Sequence, residues 1–255
     1  MNLPFSVNRT ILIDAGQETV FSFFTDPTRW AAWWGTGSTV DPRAGGAIKI
    51  RHSNGFESVG EVLEIDAPHR FVFTYSLQAA NPVPPEDSRV TLTLEPRGNA
   101  TLVSVQHEVA DKGVSELLPQ GWRFHFSLFA NAVADLVNAN APATAATWFS
   151  LWNETDASRR ATILREIANE NVRFCDRYSC LDGVDEVVVH IGASQKFMPG
   201  IRLEQRGPLR HCLGTALADW FVRNKDGNEM MSGTNVFVFG PQGKLASVTG
   251  VMNAK

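Results

Sequence analysis

One stretch constrains the fold more than any other: Leu117 to Val137, LLPQGWRFHFSLFANAVADLV, near the middle of a 255-residue chain. Leu118, Trp122, Phe126, Phe129, Val133 and Leu136 recur at four- and three-residue steps, one apolar stripe of an α-helix. Phe124 and Leu128 make a second stripe on another face. Such a helix buries more than one side, closing a core and leaving apolar surface for a ligand or another domain. The alternation Trp122, Phe124, Phe126, Leu128 also suits a strand, but the periodic positions run on to Leu136, too far for a typical strand. Directly afterwards comes Asn138 to Thr144, NANAPAT, which is small, polar and proline-containing and reads as a linker. The expectation is an α+β protein of two domains, 1–138 and 145–255, joined at 139–144. Each is long enough to bury a core of its own.

Composition excludes several classes. Hydrophobic residues make up 44% and charged residues 20%, a globular balance. The formal net charge of -4 and the lack of a basic run argue against nucleic acid and against an anionic membrane surface. No apolar run reaches the length of a membrane span. The opening MNLPFSVNRT lacks the charged-then-apolar order of a secretory signal. Three cysteines, all in the second half, make no disulfide framework, and a reducing cytoplasm is the simplest location. Seven Trp and sixteen Phe stand out, because wide rings fill large cores and also line apolar cavities.

In the first half, Val7 to Asp14 reads as a strand. Gln17 to Phe24 reads as a short helix with Val20, Phe21 and Phe24 on one face, stopped by Asp26-Pro27. A second short turn carries Trp30, Trp33 and Trp34. After a DPRAGG turn at Asp41 to Gly46 come strand-like runs at Ala47 to Arg51, Phe56 to Ile65, Phe71 to Leu77, Arg89 to Leu94 and Thr101 to His107. Asn54-Gly55, Ala67-Pro68 and Arg97-Gly98-Asn99 separate them. A curved antiparallel sheet wrapped around a terminal helix is an arrangement that often encloses a cavity.

This order of elements, with Trp33-Trp34, the DPRAGG turn, Gly60-Glu61-Val62, Ala67-Pro68, Thr101-Leu102 and Gly121-Trp122, resembles the family of homologues of the activator of the heat-shock-protein-90 ATPase. That family belongs to the START-like, polyketide-cyclase superfamily, and the resemblance covers about Val7 to Val137. It implies a helix-grip fold with a deep, mostly apolar cavity between sheet and helix. It implies little about chemistry, since members bind lipids, steroids and polyketides and some are cyclases or hydrolases. Trp33, Trp34, Phe73, Tyr75, Trp122 and Phe126 are the candidate cavity residues, with Trp30 and Phe71 beside them; the alternative for each is a filled core. His52 and Glu57 flank a hairpin, as a polar contact in the cavity or a solvated turn. His125 reads as a helical histidine beside the apolar stripe.

The second half begins with two helices, Ala145 to Asn153 and Asp156 to Ala168, and a short strand, Asn171 to Cys175. A third helix, Asp185 to Phe197, ends at Pro199-Gly200. Four strand-like runs follow at Ile201 to Gln205, Leu209 to Arg223, Asn228 to Phe239 and Lys244 to Met252, with hairpin signals at Asp226-Gly227 and Pro241-Gln242-Gly243. Three helices against a strongly bent sheet make a cone.

Leu151-Trp152-Asn153 with Asp156, Val172-Arg173-Phe174 with Asp176, Leu181-Asp182-Gly183, His190-Ile191, Gly207, Gly214, Trp220, Thr234 to Phe239 and Gly243-Lys244-Leu245 resemble the nuclear-transport-factor-two-like superfamily in its SnoaL-like, ketosteroid-isomerase-like branch. The resemblance implies a cone-shaped α+β barrel with a pocket at its wide end and pairing of two copies through the sheet. In isomerase and cyclase members an Asp just after the first strand is the general base, and Asp176 matches that position. The two donors to the enolate oxygen fall on Trp148 and Asn235 here, in place of a Tyr and an Asp; each can donate a hydrogen bond. His190 matches a polar pocket position on the third helix and is the second catalytic candidate; the alternative is a satisfied helical histidine. Trp152, Tyr178, Trp220 and Phe237 complete the expected ligand-binding set, with a place in the core as the alternative for Trp220 and Phe237. His211 and Cys212, adjacent on a strand, point to opposite faces. Cys175, Cys180, Cys212, His190 and His211 have no zinc-like spacing, so neither a metal nor another cofactor is expected.

Three readings follow. The first is binding of a small hydrophobic, lipid- or polyketide-like molecule in one or both domains. The second is a cyclase, isomerase or hydrolase using Asp176. The third is an interaction protein that regulates a chaperone or dimerises through its second domain.

Overall fold

Alternating apolar positions start the chain as β1 (Phe5–Ile13), followed by α1 (Gln17–Thr25) and α2 (Pro27–Trp34). Asp26 separates the two helices and caps the second: its Oδ1 accepts the backbone N–H groups of Thr28 and Arg29. Pro27 takes the first helical position, where its missing N–H costs nothing. Next come β2 (Thr39–Val40), β3 (Ala47–Arg51), β4 (Glu57–Asp66), β5 (Arg70–Phe73), a 3-10 turn at Pro85–Asp87, β6 (Ser88–Arg97), β7 (Ala100–Val109) and α3 (Lys112–Val137). The strands form one antiparallel sheet in the order β1-β7-β6-β5-β4-β3-β2. The computed structural model describes residues 2–52, 55–76 and 84–253, so Asn54 and Leu77, expected in a turn and a strand, lie outside the described residues.

Helix α3 starts at Lys112, not Leu117. Asp111 sets that start by accepting the N–H of Val114, and Pro119 is carried inside the helix. Its stripe is buried at Leu118, Trp122, Phe126, Phe129 and Val133, whereas Leu136, Phe124 and Leu128 are exposed. Phe129 stacks on Phe24 of α1, with centroids 5.3 Å apart, and Phe24 stacks in turn on Phe71 of β5 at 6.0 Å. Helix, helix and sheet are thereby joined through aromatic faces.

The chain divides into two compact units, Met1–Ala134 and Asp135–Lys255. The second contains α4 (Ala141–Leu151), α5 (Ala157–Ile167), β8 (Ala168–Cys175), β9 (Cys180–Asp182), α6 (Val184–Phe197), β10 (Arg202–Cys212), β11 (Thr215–Arg223), β12 (Glu229–Phe239) and β13 (Leu245–Met252). Its sheet runs β10-β11-β12-β13-β8-β9 and is antiparallel except where β13 meets β8. Its core gathers Trp148, Phe149, Leu151, Val172, Phe174, Val187, Ile191, Phe237 and Val248.

Two sequence expectations are corrected here. The stretch 139–144 is not an extended linker, because α4 begins at Ala141. Proline is favoured in a first helical turn and alanine is the best helix former, so APAT starts a helix as readily as it ends one. Second, the run Leu209 to Arg223 is not one strand. It turns at Leu213-Gly214, both at positive φ (50° and 73°), a two-residue hairpin between Cys212 and Thr215. The more conspicuous Gly207-Pro208 only interrupts the β10–β11 register between Arg206 and Arg210.

Candidate ligand-binding site

At the end of β8 the chain makes an Asx turn. Asp176 Oδ1 accepts the Tyr178 N–H at 2.8 Å, and the Asp176 N–H donates to the Ser179 carbonyl at 2.9 Å. The Asp176 carboxylate is thus held beside the sheet interior. Asn235 of β12 stands opposite Ala218 on one side and Gly250 on the other. Both neighbours are small, which leaves space above the amide. A Cβ added at Gly250 would lie 3.3 Å from Asn235 Oδ1 and 3.4 Å from Asp176 Cβ, so the glycine is what separates these two groups. Asn235 is 5% exposed, and its side-chain amide has no hydrogen bond among the described residues.

His190 of α6 enters from the helical side. Its ring centre is 5.8 Å from those of Trp152 and Phe174, and Ser179 Oγ approaches its Nδ1 at 3.3 Å. Asp176, His190 and Asn235 line one cavity of about 430 Å³, within the size range of small-molecule sites. The rest of its wall is mainly apolar, with Trp152, Phe174, Trp220, Met231 and Met252 prominent.

Of the residues expected here from sequence, Trp152, Asp176, Tyr178, His190, Trp220 and Asn235 share this cavity. Trp148 and Phe237 do not. Both are fully buried in the core, with ring centres 6.2 Å apart, and Trp148 packs behind Phe174 at 5.6 Å. Trp152, one helical turn further on, reaches the wall that Trp148 was expected to supply. The indole N–H of Trp148 is buried without a hydrogen-bond partner among the described residues, and so are those of Trp152 and Trp220.

In the first unit, Trp33, Trp34, Phe73, Tyr75, Trp122 and Phe126 are all buried. They belong to one aromatic cluster: Trp34 sits 4.3 Å from Trp33, 5.9 Å from Tyr75 and 6.0 Å from Trp122 between ring centres. His107 is built into it. Trp122 Nε1–H donates to His107 Nδ1 at 3.0 Å, which leaves Nε2 as the protonated nitrogen, donating to Ser88 Oγ at 2.9 Å. Burial pushes His107 down to about 3. His125 is lowered to about 4, first by burial and then by His52, whose ring centre lies 6.4 Å away. His52 approaches Ser58 Oγ at 3.0 Å, whereas Glu57 pairs with Lys49 at the surface.

Of the sulfur and imidazole groups named above, Cys175 and Cys180 meet as cross-strand neighbours. His211 Nδ1 is 3.4 Å from Asp135 Oδ1, at the end of β10 near the Leu213-Gly214 turn. No cluster of three or more metal-ligating side chains occurs among the described residues.

The family model for Activator of Hsp90 ATPase homolog 1-like protein matches residues 14–134, within the first unit. Among solved structures, the chain is similar to an Agrobacterium tumefaciens protein of the SnoaL-like family (25% identity, 44% of this chain and 96% of that one, TM-score 0.43). It is also similar to CalU16 from Micromonospora echinospora (23% identity, 51% of this chain and 76% of that one, TM-score 0.43). A third is the Aha1 dimer from Colwellia psychrerythraea (21% identity, 49% of this chain and 92% of that one, TM-score 0.40). No curated protein matches the chain. Among the described residues no helix is long and apolar enough to cross a membrane.

Sequence reasoning missed Phe174, Gln195, Met231, Gly250 and Met252 on the cavity wall. A signal for three of them existed. Once Asn235 is placed inside the cone, the period of two puts Met231 on the same face, and strand pairing brings Gly250 and Met252 alongside. Gln195 carried no such signal: its Nε2 is used by the carbonyls of Trp152 and Glu154, a contact fixed only by how α6 packs.

Proposed function

We propose that the second unit binds a small hydrophobic molecule, of lipid or polyketide character, carrying at least one hydrogen-bonding oxygen. The observation that carries this reading is the Asn235 amide on the wall of an otherwise mainly apolar cavity. A ligand oxygen accepting the amide N–H would contribute about 0.5–1.5 kcal/mol. His190 supplies a second polar anchor. Trp152 and Trp220 give the test its signal. Titration with a hydrophobic dye such as anilinonaphthalene sulfonate is expected to quench their fluorescence saturably at one site per chain. Native mass spectrometry of the purified protein is expected to show a retained small molecule, and the same spectrum reports whether two copies pair through the sheet. Unchanged fluorescence and melting across fatty acids, steroids and aromatic polyketides would sink the assignment.

The same wall supports proton transfer. Asp176 and Asn235 both flank Gly250, so a carbon acid bound there would offer its proton to the Asp176 carboxylate. For any substrate turned over in this way, Asp176→Asn is expected to lower kcat by about 100- to 10,000-fold while ligand affinity stays within a few-fold. Turnover that survives the substitution removes Asp176 from the chemistry.

A further inference from the structure

The hairpin that holds Asp176 also brings two thiols face to face. Cys175 ends β8, Cys180 starts β9, and the two are direct cross-strand partners. Their Sγ atoms are 3.1 Å apart. The Asp176 N–H bonds the Ser179 carbonyl on one side of the pair, and the Gly183 N–H bonds the Val172 carbonyl further down the ladder. By the alternation of an antiparallel ladder, Cys175 and Cys180 therefore occupy a non-hydrogen-bonded position. Cα atoms there lie about 4.5 Å apart, within the span that a disulfide bridges. Cys180 is exposed and Cys175 half-buried, so neither sulfur is there to fill a core. Arg173 Nη2 donates to Cys180 Sγ at 3.2 Å.

We propose that Cys175 and Cys180 are a reversible dithiol–disulfide site, oxidised by exchange with a low-molecular-weight disulfide. The Cys180 thiolate, stabilised by Arg173, attacks one sulfur of the small disulfide and releases one thiolate. Cys175 then loses its proton and attacks Cys180 Sγ, releasing the second. The protein gives up two electrons and two protons, and the small disulfide becomes two thiols. The two cysteines differ in the sense this order requires. The Arg173 hydrogen bond lowers the Cys180 thiol below its ordinary value, and the hydrogen bond with Cys180 raises the Cys175 thiol. The resulting ring encloses Asp176 to Ser179, two of which, Asp176 and Tyr178, line the cavity. An exposed cross-strand link of this kind belongs to the labile class of disulfides.

The test is incubation of the whole protein with glutathione disulfide, followed by peptide mapping and thiol titration. The chain has three cysteines. The expected product carries a Cys175–Cys180 link, has lost two thiols, and recovers both with a dithiol reductant. Cys175→Ser is expected to stop at a mixed disulfide on Cys180, whereas Cys180→Ser leaves Cys175 largely unmodified over the same period. Arg173→Gln is expected to slow the first step with the fold unchanged. Accumulation of a mixed disulfide in the unaltered protein, or modification confined to Cys212, would overturn the proposal.

Discussion

Gly250→Val is expected to abolish dye and ligand binding in the second unit without unfolding it. Gly250 lies within β13, opposite Asn235, and its backbone is not among the left-handed positions, so a side chain is sterically admissible for the chain itself. β-Branched residues suit a strand. The obstruction is local. A first carbon already meets Asn235 Oδ1 at 3.3 Å and Asp176 Cβ at 3.4 Å. Two further methyl groups must extend from there into the space between amide and carboxylate. Affinity is expected to fall by about 100-fold, roughly 2.7 kcal/mol. Gly250→Ala needs only a small yield of its neighbours and is expected to cost a few-fold. Fluorescence titration of the two variants, with melting curves as the control on folding, gives the comparison. Equal affinity in both variants and the unaltered protein would move the ligand away from Asn235.

The elements were legible in the sequence wherever one physical signal acted alone. Period-two runs gave β3 and β7, and period-three-to-four runs gave α1 and the buried stripe of α3. Legibility failed where two signals competed. Pro142 among alanines is a break in one context and a first turn in another, and only the packing of Ala141 and Ala145 into the core decides for α4. Leu213 hides a hairpin because leucine is disfavoured at positive φ, whereas Gly207-Pro208 advertises a turn that is only a bulge. The site shows the same division. Asp176, His190 and Asn235 could be picked out by resemblance, one residue at a time. Trp148 was misplaced because a helix with indoles at positions 148 and 152 presents one to the core and the other to the cavity. Which is which depends on how α4 meets the sheet, a relation that no local pattern encodes.

Acid is expected to destabilise the first unit steeply, through His107. Its pKa in the folded protein, about 3, lies below the ordinary histidine value of 6.5. The folded state therefore keeps the ring neutral where the unfolded chain takes up a proton. The contribution is full above pH 6.5 and is lost as pH falls toward 3, at about 1.4 kcal/mol per pH unit. His125, lowered to about 4, adds a loss of the same sign over a narrower window. Protonating His107 would also place a donor at Nδ1 against the indole N–H of Trp122, so the charged ring keeps neither its hydration nor its bond. Urea unfolding at pH 7, 6, 5 and 4, followed by tryptophan fluorescence, measures the slope. His107→Gln keeps an acceptor for Trp122 and a donor for Ser88 but cannot take up the proton. It is expected to cost stability at pH 7 through imperfect packing and to flatten the slope by about one proton between pH 6 and 4. An unchanged slope in that variant would assign the acid sensitivity to groups other than the buried histidine. A steeper one would mean that the imidazole relieves a strain in the Trp122 cluster that glutamine leaves in place.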